Sequence, residues 1–281
     1  MKQITLFFCI VFLNCSCTNK SSNKTNDQLL NSQSETRLKD LDHKKIVGSY
    51  GDSTPYVTEL SSVFHKAVRI FPNDSTSLYR LYYEWGSTLD TIKLKKQIKR
   101  LEALTSKESI IRYNNVAKNL KPLLKRIVKS DSASKLQADS LEFLYSEYDY
   151  FSGEALLSKL LTDDDNYNLV WKSFQIITKE SLKDTVYISV LIRLDHHIRT
   201  NAELAEAMPH FVVKAIHNNP LGFLKMYNLR NVDQRTNFAN LISEYDEPDI
   251  KLIEIFTDIS KNSKNGNYRN LAIDLLQRRK D

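Results

Sequence analysis

The sequence predicts an all-α protein: an irregular helical-repeat array of the α-solenoid kind or, alternatively, an irregular helical bundle. Three observations carry this expectation. Glycine and proline number six each in 281 residues, about 4% of the chain against a usual 12% or so, too few for the turns of a β-sandwich or barrel. From about residue 55, apolar residues recur at three- and four-residue intervals, the period of a helix buried on one face. Helix-start signals then recur at similar distances through the C-terminal half. The glycine scarcity also excludes chemistry. Gly48 and Gly51 are the only closely spaced pair, so neither a Walker A loop nor a G-x-G-x-x-G turn can be written.

The chain opens on Met1-Lys2-Gln3 and the apolar run Ile4 to Leu13. Ten residues as a helix rise about 15 Å, half the hydrocarbon thickness of a bilayer. This is the length of a signal-peptide core and too short for a transmembrane span. The following Asn14-Cys15-Ser16-Cys17 resembles the lipobox of bacterial lipoproteins, a cysteine placed just after the apolar core and preceded by a small residue. The resemblance implies a diacylglycerol on the thiol and cleavage immediately before it. Cys17, preceded by Ser16, is the favoured acylation site, and Cys15, nearer the apolar run, is the alternative. Residues 1–16 are then signal peptide, and 17–36 are the lipidated cysteine with a polar tether too poor in apolar side chains to order itself. Such a tether lets the domain sit a few nanometres from the membrane. No cysteine follows Cys17, so no disulfide and no cysteine-bound metal is expected in the folded part.

Val57, Leu60, Val63, Phe64, Ala67, Val68 and Phe71 predict a first helix, which Pro72-Asn73-Asp74 stops. Leu78, Leu81, Tyr82 and Trp85 predict a second, and Leu94, Ile98, Leu101 and Leu104 a third. Val116, Leu120, Leu123 and Ile127 line a fourth, with a kink expected near Pro122. Beyond it, caps at Asp165-Asn166, Ser181, Asn201, Asn219-Pro220, Asp233, Glu247-Pro248 and Asn265 place helix starts near 167, 183, 202, 220, 233, 248 and 267. Alternate starts lie 31 to 35 residues apart. That spacing resembles the HEAT and tetratricopeptide repeat families, in which each helical hairpin stacks on its neighbours. The expected division is an N-terminal helical region, 37–150, and a C-terminal helical-repeat region, 151–281.

Several residue groups hint at chemistry. Asp195-His196-His197 superficially resembles the metal-binding signature of DHH-type phosphoesterases, but adjacent histidines on a helix point about 100° apart and serve one ion poorly. Thr162 to Asn168 resembles a calcium loop, yet Leu169 and Gln175 stand where that loop needs glycine and glutamate. Its carboxylates are expected to cap a helix instead. The aromatic groups Tyr79, Tyr82, Tyr83, Trp85 and Tyr145, Tyr148, Tyr150, Phe151 are expected to pack between helices. Gly-x-Ser-x-Gly is absent. No metal or other cofactor is expected.

Charge distribution says more. Between Lys93 and Lys129 stand twelve basic and two acidic residues, a net of +10, whereas residues 130–281 carry a net of −5. Lys95, Lys99 and Arg100 lie off the apolar stripe of the third helix, and Lys118, Lys121 and Lys125 lie off that of the fourth. These six are the candidate binding residues, for contact with anionic lipid heads, an envelope polymer or an acidic protein. Nucleic acid is not expected for an exported lipoprotein.

The sequence therefore predicts a lipid-anchored cell-envelope protein, facing the periplasm from the outer membrane. Its expected role is a non-catalytic macromolecule-binding or structural module. Size, anchor and helical architecture resemble, in a general way, immunity-type lipoproteins. The alternative is a periplasmic enzyme acting on envelope glycan.

Overall fold

The computed structural model describes residues 54–86, 90–198, 202–246 and 251–279. The signal peptide, Cys15, Cys17, the tether, the cap at Asn201 and the start near 248 lie outside these residues, as does the Trp85 side chain. The described residues form thirteen α-helices and one 3₁₀ turn, with no strand among them. The fold is all-α.

The first three helices are α1 (Thr54–Ile70), α2 (Ser75–Gly86) and α3 (Thr91–Leu104). The turn Pro72–Asp74 separates α1 from α2, and Asp90 caps α3 by accepting from the Ile92 and Lys93 amides at 2.9 and 3.1 Å. Phe64 stacks on Tyr82 with ring centroids 4.4 Å apart. The next helices are α4 (Lys107–Ser130), α5 (Lys135–Ser152), the short α6 (Ser158–Thr162), α7 (Asp164–Glu180) and α8 (Val186–His197). An aromatic chain joins the two groups. Phe71, at the end of α1, meets Tyr113 of α4 at 4.5 Å, which meets Phe151 of α5 edge-on at 5.5 Å. The Asp74 carboxylate also accepts from the Leu157 amide at 3.2 Å.

The remaining helices are α9 (Ala202–Asn218), α10 (Pro220–Asn228), α11 (Val232–Tyr245), α12 (Leu252–Asn262) and α13 (Gly266–Arg278). Two sets of helices lie side by side. In the front layer α4 packs on α7 and α7 on α9, and their C-terminal ends are tied together. Lys179 of α7 reaches Asp131, the left-handed C-cap of α4, at 2.9 Å. Asn218 of α9 donates to the Thr178 carbonyl of α7 at 3.0 Å. In the back layer α5 packs on α8, with Lys135 paired to Asp184 and Arg193 to Asp139 at 3.1 Å. Tyr245 of α11 extends this layer by donating to Asp195 of α8 at 2.8 Å. The core lies between the layers, where Tyr145, Phe174, Leu191 and Val212 are shielded from water. Each such side chain contributes about 1.5–3 kcal/mol of burial.

Some local expectations shift. The starts near 220, 233 and 267 fall at Pro220, Val232 and Gly266, within a residue of expectation, but those near 167 and 183 fall at Asp164 and Val186. Ser181 does not begin a helix. It closes α7, buried, with its hydroxyl donating to the carbonyls of Thr178 and Ala215. A serine hydroxyl satisfies a helix's last carbonyls as readily as its first amides, so sequence alone does not distinguish the two ends. Asp165 and Asn166 lie inside the first turns of α7, and neither they nor Asp163 form a side-chain cap. The carboxylates there act through the helix dipole. The helix α4 continues through Pro122, which is exposed, so the carbonyl that loses its partner can face water.

The repeat register also differs. Counting alternate starts makes α10 a full partner of α9. The structure shows α10 as a nine-residue helix packed on α9, α11 and α13, while α11 is linked to α8 through the Tyr245–Asp195 bond. Position 150 falls within α5, and residues 55–281 form one compact unit.

Candidate functional site

Each helix of the front layer has a solvent stripe facing away from the back layer. On α4 that stripe carries Lys118, Lys121, Lys125 and Lys129, at steps of three and four residues, opposite the buried Val116, Leu120, Leu124 and Ile127. The four span about 17 Å of helix axis. None has a carboxylate within 4 Å among the described residues, and the sole acidic residue of α4, Glu108, stands in its first turn.

Lysines four apart on a helix repel by about 0.2–0.5 kcal/mol per pair. The helix dipole offsets this only within the last turn. It therefore accounts for Lys129, but not for Lys118 and Lys121, which stand two to three turns earlier. This stripe is a run of positive charge held against local helix stability.

The six candidate residues do not form one continuous face. Arg100 forms an ion pair with Glu154, which follows α5, beside the N-terminal end of α4. Burial pushes the Glu154 carboxyl up, with the Arg100 charge and hydrogen bond opposing it. Lys95 lies over the Tyr56 ring at 4.8 Å. Lys99 is exposed. Lys118, Lys121 and Lys125 occupy the other half of α4 and form a stripe by themselves. Arg112, also within the basic segment, is drawn into the fold by Glu147 at 2.6 Å and by the Tyr150 ring at 4.5 Å. The hydrogen bond from Arg112 to Glu147 holds the guanidinium above its usual range.

Sequence reasoning missed that the front layer extends this charge. Lys172 and Lys179 lie on the solvent stripe of α7 with Asn168 and Gln175, and Lys214 lies on that of α9 with His210 and His217. A groove of about 360 Å³ between α4 and α7 is lined by Val128, Asp131, Lys172, Gln175, Ile176 and Lys179. The signal was present as the polar complement of each apolar stripe, but the total charge of residues 130–281 concealed it. Most acidic residues of α7 and α9 stand at the opposite end, at Asp164, Asp165, Glu203 and Glu206, while Glu180 closes α7, buried and paired with Lys183 at 2.7 Å.

The other singled-out groups are structural. His197 meets Glu142 of α5 at 3.2 Å, and Asp195 holds Tyr245. Both line a groove of about 630 Å³ between α8 and α11, where their polar atoms are spent on joining helices. Among the described residues, no three His, Cys, Asp or Glu side chains are grouped to hold a metal. Tyr145, Tyr148 and Phe151 are buried, while Tyr83 and Tyr150 remain exposed at the edges of their groups. No described helix is long and apolar enough to cross a membrane. No family model, curated protein or solved structure matches this chain.

Proposed function

We propose that this chain is a lipid-anchored protein of the bacterial cell envelope, acylated at Cys17, that acts as a non-catalytic module binding an anionic macromolecular partner. The observation that carries the reading is the α4 stripe. Among the described residues none of Lys118, Lys121, Lys125 and Lys129 has a carboxylate within 4 Å; Lys118, Lys125 and Lys129 are exposed, Lys121 is half-buried, and the four repel one another. Such an arrangement is relieved when an anionic surface approaches. The lipobox resemblance supports the anchor, and the stacked helical layers offer broad surface for a partner.

Two variants test the two halves of the reading. Cys17→Ser releases the protein into the soluble fraction and abolishes fatty-acid labelling. Labelling that survives Cys17→Ser but is lost in Cys15→Ser moves the site to Cys15. Lys118→Glu/Lys121→Glu/Lys125→Glu, in the acylated chain, reduces affinity capture of envelope components from detergent extract. Unchanged capture by this variant contradicts the binding role of α4.

A further inference from the structure

At the C-terminal ends of α7 and α9 the two following loops are fastened together. The Asn219 side chain donates to the Ser181 carbonyl at 3.0 Å, while its oxygen caps α10 by accepting from the Gly222 amide at 2.9 Å. Contact is so close that a Cβ on Gly222 would lie 2.3 Å from the Thr185 methyl. This rigid junction holds two leucines out in water. Leu182 is 61% exposed and Leu221 40% exposed, each one or two residues from the Asn219–Ser181 bond.

Basic side chains surround them. Lys179 and Lys183 flank Leu182 in sequence, paired to Asp131 at 2.9 Å and to Glu180 at 2.7 Å. Lys225 stands one turn after Leu221 on α10, and Lys214 stands one turn before the end of α9. Lys214 and Lys225 have no acidic partner within 4 Å among the described residues. Lys129, at the end of the α4 stripe, reaches the same edge, because Asp131 is tied to Lys179.

We infer that this edge of the front layer, with Leu182 and Leu221 at its centre and lysines around them, rests on an anionic lipid bilayer. Exposed leucine within a lysine rim is the composition of an interfacial contact: the apolar side chains enter the headgroup boundary and the ammonium groups meet lipid phosphates. The basic groups named here are all lysine, and of these Lys129, Lys214 and Lys225 have no acidic partner within 4 Å among the described residues, whereas Lys179 and Lys183 are paired. A compact, strongly hydrated ammonium suits a diffuse anionic surface, whereas planar bidentate recognition of single carboxylates favours arginine. The described residues named at this edge include no aromatic or arginine side chain, the types that dominate protein–protein hot spots. A soluble acidic polymer would use the lysines and leave the leucines idle. The inference deepens the proposed function by naming the anionic partner as the membrane to which the chain is tethered.

The test uses the acylated full chain carrying Leu182→Trp, bound to phosphatidylcholine vesicles with or without phosphatidylglycerol. With phosphatidylglycerol, the tryptophan emission moves to the blue, and the shift is lost near 1 M salt, where the Debye length has fallen to about 3 Å. Lys214→Glu/Lys225→Glu lowers the fraction of shifted tryptophan about tenfold or more, since each basic residue near such a surface contributes about fivefold in affinity. Emission that is the same on both vesicle types overturns the inference. So does an equal shift with soluble polyphosphate. Retention on neutral vesicles reports the anchor separately, so a protein that stays bound without the shift keeps its lipid and loses only this edge contact.

Discussion

The side-chain amide of Asn218 donates to the Thr178 carbonyl at 3.0 Å, and also to the Ser181 hydroxyl at 3.3 Å. This sets the C-terminal end of α9 beside that of α7 and aligns their solvent stripes. Asn218→Ala is expected to cost about 1 kcal/mol, the net worth of such a bond. Thr178→Val is expected to act oppositely. The Thr178 hydroxyl is buried without a hydrogen-bond partner among the described residues, and replacing it by a methyl of similar shape removes a desolvation cost. Thermal unfolding of the two variants, shifted in opposite directions, is the check.

Gly222 is required by close approach. An alanine there places its Cβ 2.3 Å from Thr185 Cγ2 and 2.6 Å from Asn219 Oδ1. Gly222→Ala is expected to destabilise by about 1–3 kcal/mol, the usual range for overpacking. Adding Thr185→Ser, which deletes the clashing methyl, recovers part of that loss in denaturant unfolding. Additive losses in the double variant would contradict the contact.

Burial pushes the Tyr148 hydroxyl up to about 12, and burial together with the neighbouring Tyr148 pushes Tyr145 well above its usual value. Unfolded tyrosine ionises near pH 10. The folded state therefore holds its protons where the unfolded state releases them. The resulting stability is full below about pH 10 and lost as pH rises towards 12. Absorbance titration is expected to show these two phenols ionising only as the fold opens. Tyr145→Phe, which removes a buried hydroxyl that has no hydrogen-bond partner among the described residues, is expected to raise stability and weaken this alkaline dependence.

Helices were legible where the apolar stripe was long and bounded by a cap of one sense. Leu94, Ile98, Leu101 and Leu104 are all buried as the spacing requires, and Asn219-Pro220 begins α10 with the predicted side-chain cap. Ser181 was misread because its hydroxyl bonds carbonyls at the end of α7, an arrangement with the same local sequence as a start. The repeat register failed at α10, where a short inserted helix resembles a full partner until its contacts with α13 are seen. The α4 lysine stripe could be read from spacing. Its separation from Lys95, Lys99 and Arg100 could not, because it depends on Glu154 and Tyr56, which are distant in sequence. The same holds for the placing of the Leu182 and Leu221 loops side by side, since it is made by one long-range bond, from Asn219 to Ser181.

The most direct test of the account is the salt dependence of capture. The detergent-solubilised, acylated full chain is titrated against an isolated anionic envelope fraction at about 0.1 M and about 1 M salt, where the Debye length falls from about 10 Å to about 3 Å. Wild type is compared with Lys118→Glu/Lys121→Glu/Lys125→Glu. Lys118 and Lys125 are exposed and Lys121 is half-buried, and each substitution is expected to change stability by about 0.5 kcal/mol or less, so both proteins enter the comparison folded. The account predicts binding by wild type at low salt, a steep loss at high salt, and little binding by the variant at either. Equal binding by the two proteins, or wild-type binding indifferent to salt, would contradict it.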